Sequence, residues 1–153
     1  MNDGLRRALT EVVAPLLRRP PELQVAALCL RKGENGQTEV LMITSRDTGR
    51  WIVPKGWPIE GMAAHEAALQ EAWEEAGVQP PKSAPVHIGH YHYDKQLDGG
   101  YSAPVRVELY QVDTPELSDS YPEADERARL WLSPEQAASR VDEPELAAIL
   151  RSL

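Results

Sequence analysis
The chain has 153 residues, 42% of them hydrophobic, which suits one compact domain over residues 1–153 and leaves no room for a second. Sixteen basic residues against 24 acidic ones give a net charge of -8, which argues against a general role on nucleic acid or at a membrane surface. A single cysteine, Cys29, lies in an apolar run, so an internal disulfide framework is excluded and a reducing cytoplasm is the expected compartment. With no apolar run of ~18 residues and no leader ending in a small-residue cleavage site, neither a membrane span nor a signal peptide is expected.

Leu5, Leu9, Val12, Val13, Leu16 and Leu17 recur at helical spacing and predict an amphipathic helix over residues 4–18, interrupted at Pro15. Arg18-Arg19-Pro20-Pro21 then forms a short stiff connector. Leu23 to Arg31 and Thr38 to Ser45 are β-rich runs on either side of Gly33-Glu34-Asn35-Gly36 and read as a hairpin. A third short strand, Trp51-Ile52-Val53, leads into Pro54-Lys55-Gly56.

The next helix carries the chemistry. Glu71, Glu74 and Glu75 stand at i, i+3 and i+4, so their side chains converge within one turn. Clustered carboxylates repel one another by a few tenths of a kcal/mol per pair, and a bound cation reverses the sign. Hard Mg²⁺ or Mn²⁺ suits such oxygens best. A solvated acidic face is the bland alternative for three glutamates taken alone. Leu69, Ala72, Trp73 and Ala76 form the opposite stripe and are expected to lie on a sheet, with Trp73 in the core. Gly77 is placed to cap the helix in the left-handed conformation. Ala64 and Ala67 fall on the acidic side, where small side chains leave room for a ligand.

From Gly56 to Val78 the sequence GWPIEGMAAHEAALQEAWEEAGV resembles the Nudix box, G-x5-E-x7-R-E-U-x-E-E-x-G-U with U apolar. Gly56, Glu71, Ala72, Glu74, Glu75, Gly77 and Val78 match the pattern, while Met62 replaces its first Glu and Gln70 its Arg. The two replaced side chains pair in the family, so losing both together strands no charge. The resemblance implies a Nudix-like α/β/α sandwich with a mixed central sheet, an α/β (α+β) fold. It also implies metal-dependent hydrolysis of a diphosphate bond, with Mg²⁺ or Mn²⁺ held by Glu71, Glu74 and Glu75 and by a backbone carbonyl near Lys55. One of these glutamates accepts the water proton, and the sequence leaves open which. Lys55, Arg50 and Arg46 become the phosphate-binding candidates.

The substrate implied is a small diphosphate: nucleoside diphosphate-linked, dinucleoside polyphosphate or diphosphoinositol-type. PKGWP and EAWEEAG look most like the diphosphoinositol polyphosphate phosphohydrolase branch. The rival is a Nudix-like module that binds a nucleotide or a partner without cleaving it, consistent with neutral Met62 and Gln70.

Beyond the box, Val86 to Tyr93 reads as a strand bearing His87, His90 and His92. Strand alternation sets His87 on the face opposite His90 and His92, and no cysteine accompanies them, which argues against zinc. With Tyr91 and Tyr93 these residues are instead candidates for the substrate cleft. Asp98-Gly99-Gly100 turns the chain into a strand through Val105, Val107 and Leu109, with Glu108 pointing the other way. Asp113 to Glu126 reads as a long acidic loop. Under the resemblance its Glu126 lies where many members supply an extra carboxylate to metal or water, with a solvated loop glutamate as the alternative, and Glu108 is left open between ligand and surface. Leu130-Trp131-Leu132 is a short strand, and Ser133-Pro134-Glu135 opens a helix that a second follows over Pro144 to Leu150.

Overall fold
A computed structural model describes residues 20–113 and 115–153; the helix expected over residues 4–18 lies outside them. Strands β1 (Glu22–Lys32) and β2 (Thr38–Thr44) form the expected antiparallel hairpin, with Leu30 opposite Val40. Short β3 (Trp51–Ile52) and β4 (Lys55–Gly56) follow, then helix α1 (Ala64–Ala76). Long strands β5 (Val86–Gln96) and β6 (Ser102–Asp113) pair antiparallel around a 3-10 turn at Asp98–Gly100, and β7 (Arg129–Leu132), α2 (Pro134–Arg140) and α3 (Pro144–Arg151) complete the order. The sheet runs β3-β2-β1-β6-β5, with β7 added on β2 and β4 on β1.

Strand β1 is central, and its composition says why. Val25 to Cys29 is an unbroken apolar run buried on both faces, as a strand covered on both sides requires. It pairs parallel with β6, Ala26 opposite Leu109, and antiparallel with its other neighbours, so the sheet is mixed. Alternation then separates two cores. Ala26 and Leu28 join Val40, Met42, Val107 and Leu109 beneath α2 and α3, whereas Ala27 and Cys29 join Leu41, Ile43, Ala72 and Ala76 beneath α1. One helix on one face and two on the other make the α/β/α sandwich. Among the described residues no helix is long and apolar enough to cross a membrane.

Each helix starts and stops on local chemistry. At the head of α1 the Glu66 carboxylate accepts the backbone N–H of Ala63 at 2.9 Å, and Gly77 closes its end at φ 71°, a conformation that costs L-residues about 1 to 2 kcal/mol. Pro134 opens α2 behind a reciprocal box in which Ser133 Oγ accepts from Gln136 N and Gln136 Oε1 accepts from Ser133 N.

Three expectations need correction. Trp73 is half-buried and not core: the stripe facing the sheet is centred on Ala68, Ala72 and Ala76, and Trp73 stands about 100° around from Ala72. It lines an apolar groove with Met62, Leu69, Gln70 and Val78. Ala67 is buried against Val25 and Ala68 and leaves no space for a ligand. His87 shares the face of His90 and His92, because a β-bulge between His87 and Gly89 resets the alternation and the three stand opposite Tyr110, Glu108 and Arg106.

Candidate active site
β1 is paired along one edge first by β4, at Val25 and Ala26, and further on by β2, at Leu30 to Lys32. The chain between β2 and β4 therefore crosses a fork in the sheet, and the acidic face of α1 lies beside it. Here a polar cleft of about 350 Å³ gathers Glu71, Glu74 and Glu75 with Lys55, Gly56 and Arg46. Trp57 adjoins Gly56 there, and elements far apart in sequence add Gln24, Lys95, Glu123 and Arg127.

Glu75 is the anchor of the three. Only 5% exposed, it accepts the backbone N–H of Lys55 on Oε2 at 2.9 Å and Arg127 Nη2 on Oε1 at 3.0 Å. The Arg127 side chain is only 7% exposed, and its other bonds reach Glu123 Oε1 at 3.1 Å and the Thr44 carbonyl at 3.0 Å. The Glu71 carboxyl lies directly over Gly56, where an added Cβ would come within 2.2 Å of its Cδ. Glu74 accepts Gln70 Nε2 at 3.2 Å, and its backbone carbonyl receives the N–H of Glu123 at 2.9 Å. That last bond docks the 118–127 loop on the end of α1 and satisfies one of the terminal carbonyls a helix leaves free.

The electrostatics follow from this crowding. Burial pushes Glu71 up to about 7, helped by the charges of Glu74 and Glu123. Burial likewise raises Glu75 to about 7, against the downward pull of Arg127 and the Lys55 N–H. Lys55 is lowered to about 8 by burial, with Glu75 acting in the opposite sense. Its ammonium rests 5.0 Å from the centre of the Tyr93 ring, and Tyr93 OH donates to buried Gln24 Oε1 at 2.6 Å. Lys95 Nζ sits 5.3 Å from the ring of Trp57, which is 40% exposed. Five acidic side chains (Asp47, Glu71, Glu74, Glu75, Glu123) face four basic ones (Arg46, Lys55, Lys95, Arg127). Carboxylate oxygens gathered along one polar cleft are the donor type that a hard divalent cation prefers.

Other expected residues are placed differently. Arg50 is absent from the cleft lining: its Nη1 donates to buried Glu143 Oε1 at 2.6 Å, fastening the β2–β3 connection to the start of α3. Glu126 is held at the rim by Arg46 at 3.6 Å, while Glu123 takes the place inside. Glu108 is paired with Arg106 and His87 on the far part of the sheet. Of the aromatic candidates, Tyr91 is buried in the core and Tyr93 supports Lys55 from below. Met62 and Gln70 do lie together, both lining the apolar groove, though Gln70 bonds to Glu74. This groove, about 700 Å³, is larger than the polar cleft, but among its lining residues only Glu66 is charged, so it lacks the means to hold a polyanion.

Comparison with known proteins agrees with this geometry. The NUDIX domain family model matches residues 22–153. Nudix hydrolase 16, mitochondrial, of Arabidopsis thaliana is 30% identical over 115 residues, 72% of this chain and 63% of that protein; the chain thus spans under two thirds of its relative's length. The C. elegans Ap4A hydrolase structure superposes with a TM-score of 0.61 at 21% identity, covering 86% of this chain and 95% of that one. The NUDIX domain of Shewanella oneidensis NrtR, complexed with ADP ribose, has a TM-score of 0.62 at 15% identity and covers 99% and 98%.

Proposed function
The chain belongs to the NUDIX domain family, and from that premise we propose that its polar cleft hydrolyses the phosphoanhydride bond of a small diphosphate substrate with Mg²⁺ or Mn²⁺. The observation that carries the reading is the convergence of Glu71, Glu74 and Glu75 with Lys55 in one cleft. When bound among the glutamates, a hard divalent cation supplies charge neutralisation for the diphosphate and a more acidic water.

The residues of the chain do the rest. Lys55 and Arg46 are phosphate-binding groups, and Lys95 is a third that the cleft adds. Arg50 acts at one remove, holding the loop through Glu143. Attack of water on phosphorus forms one P–O bond and breaks the bridging one, and a cleft glutamate takes the water's proton. Glu71, whose carboxyl lies over Gly56, is the proposed acceptor of that proton. Glu75 has both oxygens engaged and Arg127 behind it, which suits a fixed carboxylate better than a proton carrier.

Among diphosphates, exposed Trp57 beside Lys95 supports a substrate that brings an aromatic base to the cleft mouth. Dinucleoside polyphosphates and nucleoside diphosphate-linked compounds have such a base, and diphosphoinositol compounds do not. The Ap4A hydrolase likeness points the same way. The test is mass-spectrometric product identification on Ap4A, ADP-ribose and a diphosphoinositol phosphate, each with Mg²⁺, Mn²⁺ or chelator. Turnover of at least one nucleotide substrate, abolished by chelation, is expected. Glu74→Gln and Glu75→Gln should each lose at least ~10²-fold in kcat, the scale of removing one preorganised electrostatic group; wild-type rates in both would refute the assignment. Tight ADP-ribose binding without cleavage over long incubations would favour the binding module suggested by Met62 and Gln70.

A further inference from the structure
Past the bulge, regular alternation sets His90 and His92 side by side on β5, the last strand of the sheet. Their rings meet edge to face, centroids 5.4 Å apart. A third donor comes from a different element: Glu145, in the first turn of α3, approaches with Oε1 3.0 Å from His92 Nδ1. This carboxylate is not loosely placed, since the same oxygen accepts the backbone N–H of His92 at 3.0 Å. One ligand atom from each of the three residues lies within 4.8 Å of the others. Donors at ~2.1 Å from a tetrahedral ion stand about 3.4 Å apart, so small side-chain rotations close the set.

We infer that His90, His92 and Glu145 form a second metal site, separate from the carboxylates of α1, that takes a borderline transition-metal ion such as Zn²⁺ and bridges β5 to α3. Two imidazoles and one carboxylate select Zn²⁺, Co²⁺ or Ni²⁺ over Mg²⁺, whereas the all-oxygen cleft has the opposite preference. The neighbouring cation does not forbid it. Arg106 Nη2 comes to 3.4 Å from His90 Nδ1, but its Nε is bound to Glu108 Oε1 at 2.7 Å, which offsets its charge. An exposed His–Glu pair by itself contributes little to stability, yet here it is duplicated by a second imidazole that the ion pair does not use. Three protein ligands leave the remaining positions to water. The ion would fasten the start of α3, two residues from the Glu143 that holds Arg50.

The experiment titrates the full chain with Co²⁺ under saturating Mg²⁺, following ligand-field absorption, and in parallel measures the Zn²⁺-induced rise in Tm by calorimetry. The same titrations are run on His90→Ala, His92→Asn, Glu145→Gln and, as a control for the acidic cleft, Glu74→Gln. The expected result is Co²⁺ binding and a Zn²⁺-dependent Tm rise in the wild type and in Glu74→Gln. Affinity should fall at least ~10-fold in each of the other three. Unchanged affinity in those three variants, loss only in Glu74→Gln, or no Co²⁺ spectrum in the wild type would each overturn the site. Because the readouts are binding and melting, they stand whether or not the diphosphate reading survives.

Discussion
Gly56 sets how close the β4 loop and the helix can come, and the consequence is local. An added Cβ would meet the Glu71 carboxyl at 2.2 Å, but that carboxyl is the free end of a rotatable side chain and can swing aside. Gly56→Ala should therefore leave the denaturant midpoint nearly unchanged while lowering kcat by about 10²-fold, because a misplaced cleft carboxylate costs rate and not folding. A matching loss of stability would show that Gly56 serves the fold. Lys55 gives a pH test. With its pKa lowered to about 8, it loses its charge on going above that value. KM for an anionic substrate should then climb, approaching tenfold per pH unit. In Lys55→Arg, which keeps its charge, the rise should vanish; an identical profile would remove Lys55 from phosphate binding. At this scale Glu71, Glu74, Glu75 and Lys55 were legible because neighbours in sequence share a helix turn or a loop. Arg127 and Glu123 were not: Arg127 reaches Glu75, and the N–H of Glu123 reaches the Glu74 carbonyl, from some fifty residues away, and no spacing rule announces such contacts. Arg50 misled for the same reason, since its partner Glu143 is 93 residues distant.

The elements divide along similar lines. The hairpin, α1, β7, α2 and α3 were all visible in periodicity, caps and turn residues, which act over a few residues. The parallel pairing of β1 with β6, the addition of β4 to β1 and the bulge in β5 are long-range or one-residue events with no composition of their own. The end of α1 shows what a legible signal can carry. Gly77 was readable as a cap, but its surroundings are made by the 118–129 loop: Ser118 N donates to its carbonyl at 2.8 Å, and Arg129 Nη1 donates to the Ala76 carbonyl at 2.7 Å. A Cβ there would lie 2.5 Å from the Tyr121 ring and 2.7 Å from the Ser118 carbonyl. Gly77→Ala should therefore cost about 2 to 4 kcal/mol, combining left-handed strain with overpacking. It should also lower activity, because the displaced loop carries Glu123 and Arg127 into the cleft. Chemical denaturation measures the first effect, and a loss under ~1 kcal/mol would mean that the loop is not braced by the cap.

For the whole molecule, the proposed metal-binding role of the acidic cleft predicts that stability depends on pH and on cation together. Glu71 titrates near its ordinary value when unfolded and at about 7 when folded, so between those limits the folded state holds the proton more tightly. Its contribution is fully present below the unfolded pKa and is lost as pH rises through 7. Glu108, held below the usual carboxylate range by its hydrogen bonds to His87 and Arg106 despite burial, works the other way and loses its contribution as pH falls. The two effects occupy different windows, which makes the first separable by difference. In chelator, Tm of the wild type minus Tm of Glu71→Gln should decline from pH 5 to about pH 7 and then level off, because Glu75 is common to both proteins and only the wild type must ionise Glu71 as well. Added Mn²⁺ should reverse this at the alkaline end, where the ionised glutamates bind it, and do little at pH 5, where a proton competes. The same cation should leave Glu71→Gln with a smaller rise at every pH. A difference curve flat across the range, or a Mn²⁺ effect equal at both ends, would mean that the crowding of Glu71, Glu74 and Glu123 is relieved by water and that the cleft is not built around a cation.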